Sequence, residues 1–259
     1  MAATDRRARP SISPLELVFT GVLLAVAAAA WAWTVDNMGG MDGGLWSYPA
    51  ALGLFAGSWL AMMTAMMLPS IAPSVLAYLG AVRGRRGRRT APVTGAAFAG
   101  GYLAVWFLAG LVPYGLLRLV EPSGSGFLMG SGGRYAAAAV LLVAAAYQLV
   151  PAKRACLEMF CVPRTSVWEV GDGGPLQALR TGLRAGGECL GCCWGLMASL
   201  VALGLMSLTW MIVVWVLIMA ERLLPSPRLA VLGVAAVLAA LAVSVLLGAP
   251  FATVQMHSM

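Results

Sequence analysis

The chain has 259 residues, of which 61% are hydrophobic and only 10% are charged, and it carries a net charge of +7. Ordinary globular domains are about 45–50% apolar and about 25% charged, so this composition argues against a soluble fold and predicts a membrane protein. A basic chain can also bind nucleic acid. Here the basic residues lie mostly between apolar segments, which argues against nucleic acid as a partner and favours the lipid bilayer.

The apolar segments predict an all-α fold, a polytopic transmembrane helical bundle with about seven spans. Residues 1–14 are predicted to form a cytoplasmic basic tail, and residues 15–249 a single transmembrane helical domain. The first apolar run is longer than the ~7–15 residues typical of a signal peptide, so we interpret it as an uncleaved span. In chain order, the predicted spans are 15–35, 48–79, 93–119, a fourth ending near 150, 189–206, 209–220 and a seventh ending near 248.

The longest polar segment interrupts the predicted domain at residues 151–187. We predict that it forms a cytoplasmic loop containing short interfacial helices. A second, shorter polar turn follows the sixth span, and there Arg222 and Arg228 are candidate partners of Glu221. Residues 250–259 are predicted to form a tail on the outer side.

The distribution of basic residues predicts the orientation of the chain. Cytoplasmic loops of membrane proteins carry an excess of Lys and Arg. With the N-terminus inside and seven spans, all of the 17 lysines and arginines except Arg118 and Arg134 fall on the cytoplasmic side. We therefore predict a multi-pass protein of the cell inner (plasma) membrane, with its N-terminus cytoplasmic and its C-terminus outside.

Four methionines lie in the middle of the second predicted span. Met62, Met63, Met66 and Met67 fall within an arc of roughly 140° on a helix with 3.6 residues per turn, so they form one thioether stripe. Thioethers are soft, neutral ligands suited to Cu(I). The alternative is that these methionines only fill gaps between helices, as methionine often does.

All five cysteines lie in one part of the sequence. Cys189, Cys192 and Cys193 are predicted to open the fifth span on one helical face, with a C-x-x-C spacing that suits soft metals or redox chemistry. Cys156 and Cys161 precede them and are candidate additional ligands. The predicted topology places all five near the cytoplasmic face. The alternative is that they are small buried apolar residues.

Four runs of the sequence, in this order along the chain, together carry a resemblance to a known family: Trp59–Ser70, Gly100–Trp106, Tyr147–Lys153 and Gly182–Trp194. Over roughly residues 50–225 the chain resembles an uncharacterised bacterial family, described as predicted metal-binding integral membrane proteins. The resemblance implies a metal-related role for this chain in the membrane. It implies no particular mechanism, and it does not extend to the first span or the C-terminal tail.

Two sets of soft ligands in one small protein favour the handling of a soft metal ion. We expect copper, although another soft metal would suit the same ligands, and we expect a role in transport, delivery or assembly of a copper enzyme. The expected partners are a copper enzyme or a metallochaperone. Common nucleotide-binding and hydrolase motifs are absent, which favours a role other than catalysis. The alternatives are a membrane thiol–disulfide relay and a structural subunit of a larger membrane complex.

Overall fold

The structure, a computed structural model, describes most of the predicted domain. Within the described residues all regular secondary structure is helical, which confirms the predicted all-α class. The described residues are 14–38, 51–86, 90–120, 131–153, 155, 173–204, 208–223 and 227–248.

Seven long helices occur in these ranges, and three of them begin at a proline. Proline is favoured in the first turn of a helix because the amide hydrogen that it lacks would have no partner there. The helices are α1 (Pro14–Met38), α2 (Ala51–Arg86), α3 (Ala91–Val120), α4 (Ser131–Leu149), α5 (Pro175–Gly204), α6 (Leu208–Leu223) and α7 (Pro227–Leu246).

Five of the described segments are long and apolar enough to cross a membrane. A spanning helix needs about 20 mainly apolar residues, and α4 offers a shorter apolar stretch. The helices therefore agree with a membrane protein, while the count of seven spans and the orientation remain predictions. The five segments are Leu17–Asn37, Leu52–Val82, Ala91–Leu116, Pro175–Leu203 and Arg228–Leu246.

The start of α5 differs from the sequence-based expectation. Residues 151–187 were expected to form a loop with short helices, but a single helix runs over Pro175–Gly204. The charged residues that suggested a loop are compatible with this helix, since Arg184 pairs with Glu188 one turn later at 3.2 Å. Cys189 consequently lies near the middle of a long helix instead of at its beginning.

In the described bundle, α3 and α5 form the most extensive contact between two helices. Glycines at this contact let the two backbones approach each other closely. A Cβ atom at Gly182 would overlap the carbonyl oxygen of Phe98, and one at Gly101 would overlap the carbonyl oxygen of Leu179. This close crossing brings Tyr102 of α3 against the middle of α5.

The other helices pack against one another in pairs. α1 packs on α2, and α4 packs on both α5 and α7. α2 is fixed to α3 by the indole of Trp59, which donates a 2.8 Å hydrogen bond to the carbonyl oxygen of Trp106 and lies against Gly110. Pro69 and Pro73 lie inside α2, where each removes one hydrogen bond of the helix.

Candidate metal centre

Three thiols meet on one face of α5. Cys189, Cys192 and Cys193 are spaced i, i+3 and i+4, and residues at these spacings are neighbours on a helix surface. Their sulfur atoms all lie within 4.8 Å of one another, with 4.0 Å between Cys189 and Cys193 and 3.4 Å between Cys192 and Cys193. All three are free thiols buried in the bundle. The predicted thiol face of the helix is therefore formed.

The thiol cluster of Cys189, Cys192 and Cys193 has the dimensions of a metal site. At a metal–sulfur distance of about 2.3 Å, typical of thiolate ligands, two sulfurs on opposite sides of one ion are about 4.6 Å apart. The 4.0 Å separation of Cys189 and Cys193 is within that reach. Thiolate sulfur is a soft ligand that selects Cu(I) and Zn(II) over hard cations. The donor set fits a soft metal ion.

Two polar side chains from other helices contact the thiol cluster. The Tyr102 hydroxyl of α3 donates a 3.0 Å hydrogen bond to Cys189 Sγ. The Arg222 guanidinium of α6 donates from Nη2 to the same sulfur at 2.8 Å, and it lies 3.9 Å from Cys193 Sγ. Sequence reasoning missed both residues. Tyr102 was present in a run that carried the family resemblance, whereas Arg222 was assigned to a polar turn.

Arg222 also connects the cluster to α2. Its Nη1 atom donates a 3.2 Å hydrogen bond to the carbonyl oxygen of Ser70. Ser70 lies between Pro69 and Pro73 in α2. A backbone carbonyl oxygen has two lone pairs, so that of Ser70 can accept this donor in addition to a hydrogen bond within its own helix. The guanidinium is thus held between α2 and α5 by two directed hydrogen bonds.

Glu221, the neighbour of Arg222, has a different partner from the one expected. Instead of Arg222 or Arg228, it pairs with Lys153, whose Nζ lies 2.8 and 2.9 Å from the two carboxylate oxygens. The Gln148 side chain also accepts a hydrogen bond from Lys153. Sequence reasoning missed this partner because Lys153 was assigned to the cytoplasmic loop, whereas Lys153 and Glu221 are both fully buried.

The methionine stripe of α2 faces the protein interior. Met62, Met63, Met66 and Met67 are at most 4% exposed, and they belong to the same continuous apolar core as the thiol cluster. A stripe that faced lipid could not deliver an ion to protein ligands, so this burial keeps the predicted ligand role open. Packing accounts for the same burial, and the role of these four thioethers remains a prediction.

Several predicted features lie outside the described residues. These are Cys156 and Cys161, the outer tail 250–259 and almost all of the cytoplasmic tail 1–14. Their predicted roles, including the additional cysteine ligands, remain predictions.

In the described part of the chain, the fold and the site define a helical bundle that combines membrane-length apolar helices with a buried soft-ligand cluster. The PpoB2 family, described as copper chaperones, has a model that matches residues 56–245. This match spans well over half of the chain, which therefore belongs to the PpoB2 copper chaperone family. It includes every described site residue and begins inside α2. No curated protein and no solved structure matches the chain.

Proposed function

We propose that this protein is an integral membrane copper chaperone that binds Cu(I) on Cys189, Cys192 and Cys193. The ion would be passed on to a copper enzyme or to another metallochaperone. The observation that carries the proposal is the convergence of three buried sulfurs within 4.8 Å in a member of a copper chaperone family. Copper is the cargo of such a protein, so the site must hold the ion and also release it.

The ligand number favours Cu(I) over Zn(II). Structural zinc sites are almost always closed by four ligands. Among the described residues, the cluster joins three cysteines, and no further cysteine, histidine or acidic side chain belongs to the same group. Cu(I) is stable with two or three soft ligands, and low coordination also eases transfer to a partner. An additional ligand from Cys156 or Cys161 would strengthen retention of the ion.

The methionine stripe would extend the path of the ion. Met62, Met63, Met66 and Met67 offer neutral sulfur atoms, which can bind Cu(I) without placing an extra negative charge inside the bundle. We propose that the stripe is a weaker, transient site along α2.

The alternative functions have less support from the site. A thiol–disulfide relay must exchange disulfides with a thiol of a substrate or partner protein, and all three sulfurs of the cluster are buried away from such a partner. A structural subunit would need no group of converging thiols. It would be favoured if the protein purified with a constant partner and bound no metal.

Metal analysis of the purified, full-length protein tests the proposal. After loading with Cu(I) under reducing conditions, the wild type should retain copper, and Cys189→Ser/Cys192→Ser/Cys193→Ser should lose most of it. Ser199→Ala is a matched control, because Ser199 is also buried on α5 and its hydroxyl donates a hydrogen bond to the carbonyl oxygen of Gly195 in the same helix. Equal copper in the wild type and the triple variant would overturn the proposal. Zinc is measured in parallel to separate the two metals.

A further inference from the structure

A permanent positive charge lies beside the thiol cluster. The guanidinium of an arginine stays protonated in proteins. In Arg222 it contacts Cys189 Sγ at 2.8 Å and lies 3.9 Å from Cys193 Sγ. Metal binding by thiolates changes the net charge of a site, and a buried net charge is costly unless it is paired. The net charge of the metal-loaded site should therefore depend on Arg222 as much as on the cysteine ligands.

The charges of the ion, the thiolates and Arg222 together show which metal complex would have zero net charge. A monovalent ion on two thiolates has a net charge of −1, and Arg222 brings the total to zero. The same ion on three thiolates would leave −1 after compensation. The site therefore favours a two-thiolate complex of a monovalent ion, with the remaining sulfur as a neutral thiol.

The carboxylate of Glu221, the neighbour of Arg222, is not the partner of the guanidinium. Glu221 is next to Arg222 on α6, but both of its oxygens are taken up by Lys153 at 2.8 and 2.9 Å. The Lys153–Glu221 pair is neutral as a unit. The guanidinium of Arg222 contacts the sulfurs instead, and its hydrogen bond to Ser70 holds it in position.

We propose that Arg222 is the counter-ion of the thiol cluster and a specificity-determining residue for soft monovalent ions, Cu(I) and Ag(I). It neutralises the excess negative charge of the two-thiolate complex and so allows that complex to be buried in the bundle. The inference rests on the proposed function, because it concerns the charge of the ion bound at the same cysteines.

Two soft ions of different charge test the inference. Ag(I) and Hg(II) both bind two thiolates, but the Ag(I) complex has a net charge of −1 whereas the Hg(II) complex is neutral. Arg222→Gln should therefore weaken Ag(I) binding by roughly 100-fold or more, the effect expected when one partner of a buried charge pair is removed. Hg(II) binding should change by no more than a few-fold. Arg222→Lys, which restores the charge, should recover part of the Ag(I) affinity.

A matched control is Arg184→Gln. Arg184 is also an arginine near the site on α5, but its side chain is largely exposed and pairs with Glu188. Its removal should leave the affinities for both ions unchanged. Affinities are measured on the detergent-purified full-length chain by competition with a chelator, with Cu(I) itself as a third ion that should follow Ag(I).

The outcomes separate this inference from the proposed function. If the wild type binds neither Cu(I) nor Ag(I), the proposed function fails. If the wild type binds both and Arg222→Gln binds them equally well, only the role of Arg222 is overturned. A variant that loses Hg(II) together with Ag(I) also contradicts the inference, because Arg222 would then hold the sulfurs in place without selecting for charge.

Discussion

Tyr102 and Arg222 contact the thiol cluster from helices other than α5. Tyr102 is fully buried, and its hydroxyl donates to Cys189 Sγ at 3.0 Å. A hydrogen bond to a charged sulfur stabilises that sulfur more than a bond between neutral groups would. In the proposed Cu(I) site the phenol would therefore raise the affinity for the ion without adding charge, which distinguishes it from the proposed role of Arg222.

Tyr102→Phe tests this contribution, because it removes the hydroxyl and keeps the ring. The affinity for Cu(I) should fall by about 10-fold, the effect of losing a hydrogen bond worth about 1.5 kcal/mol, while the thermal stability changes little. The affinity is measured by competition with a Cu(I) chelator. Tyr114→Phe, a tyrosine of the same helix whose ring packs on Phe55, is the control. Equal affinities in the two variants would refute the role of the Tyr102 hydroxyl.

At the scale of helices, the α3–α5 crossing determines whether Tyr102 reaches the cluster. Gly182 allows α5 to approach the backbone of Phe98, which lies one turn before Tyr102. Any side chain at this position must separate the two helices. The geometry of the site is therefore determined partly by residues that carry no functional group.

Gly182→Ala should destabilise the protein by about 1–3 kcal/mol through overpacking, and it should also weaken Cu(I) binding. Gly187→Ala provides the matched control, because a Cβ atom there meets nothing within 4 Å and alanine is a better helix former than glycine. Thermal unfolding and copper affinity are measured for both variants. A Gly182→Ala protein as stable as the control would show that the close crossing is not needed.

The helices also show which parts of the site were predictable from sequence. The thiol face of α5 follows from the spacing of three cysteines in one helix, so local geometry is enough to predict it. The contacts of Arg222 with Ser70 and of Lys153 with Glu221 join residues far apart in the chain. Such contacts depend on how the helices pack, and hydropathy assigns charged residues at helix ends to loops. For the same reason, the first turns of α5 were assigned to a loop.

For the whole molecule, the site exists only in the assembled bundle. Its groups come from four helices: Ser70 from α2, Tyr102 from α3, the thiol cluster from α5 and Arg222 from α6. The family match begins inside α2 and covers α3, α5 and α6 completely, whereas α1 precedes the match and packs on α2. The part of the chain that the copper chaperone family model matches is therefore the bundle from α2 onward.

Assembly from four helices predicts that copper stabilises the bundle as a whole. A ligand that binds only the folded state adds RT ln(1 + [L]/Kd) to the free energy of unfolding, which is about 2.7 kcal/mol at a free ligand concentration 100 times Kd. The thermal unfolding temperature of the wild type should rise with the free Cu(I) concentration. In Cys189→Ser/Cys192→Ser/Cys193→Ser, which keeps every helix but lacks the sulfurs, the rise should disappear. If the wild type bound Cu(I) with no rise, its ligands would come from a part of the chain that is equally accessible in the unfolded state, and the buried cluster would not be the copper site.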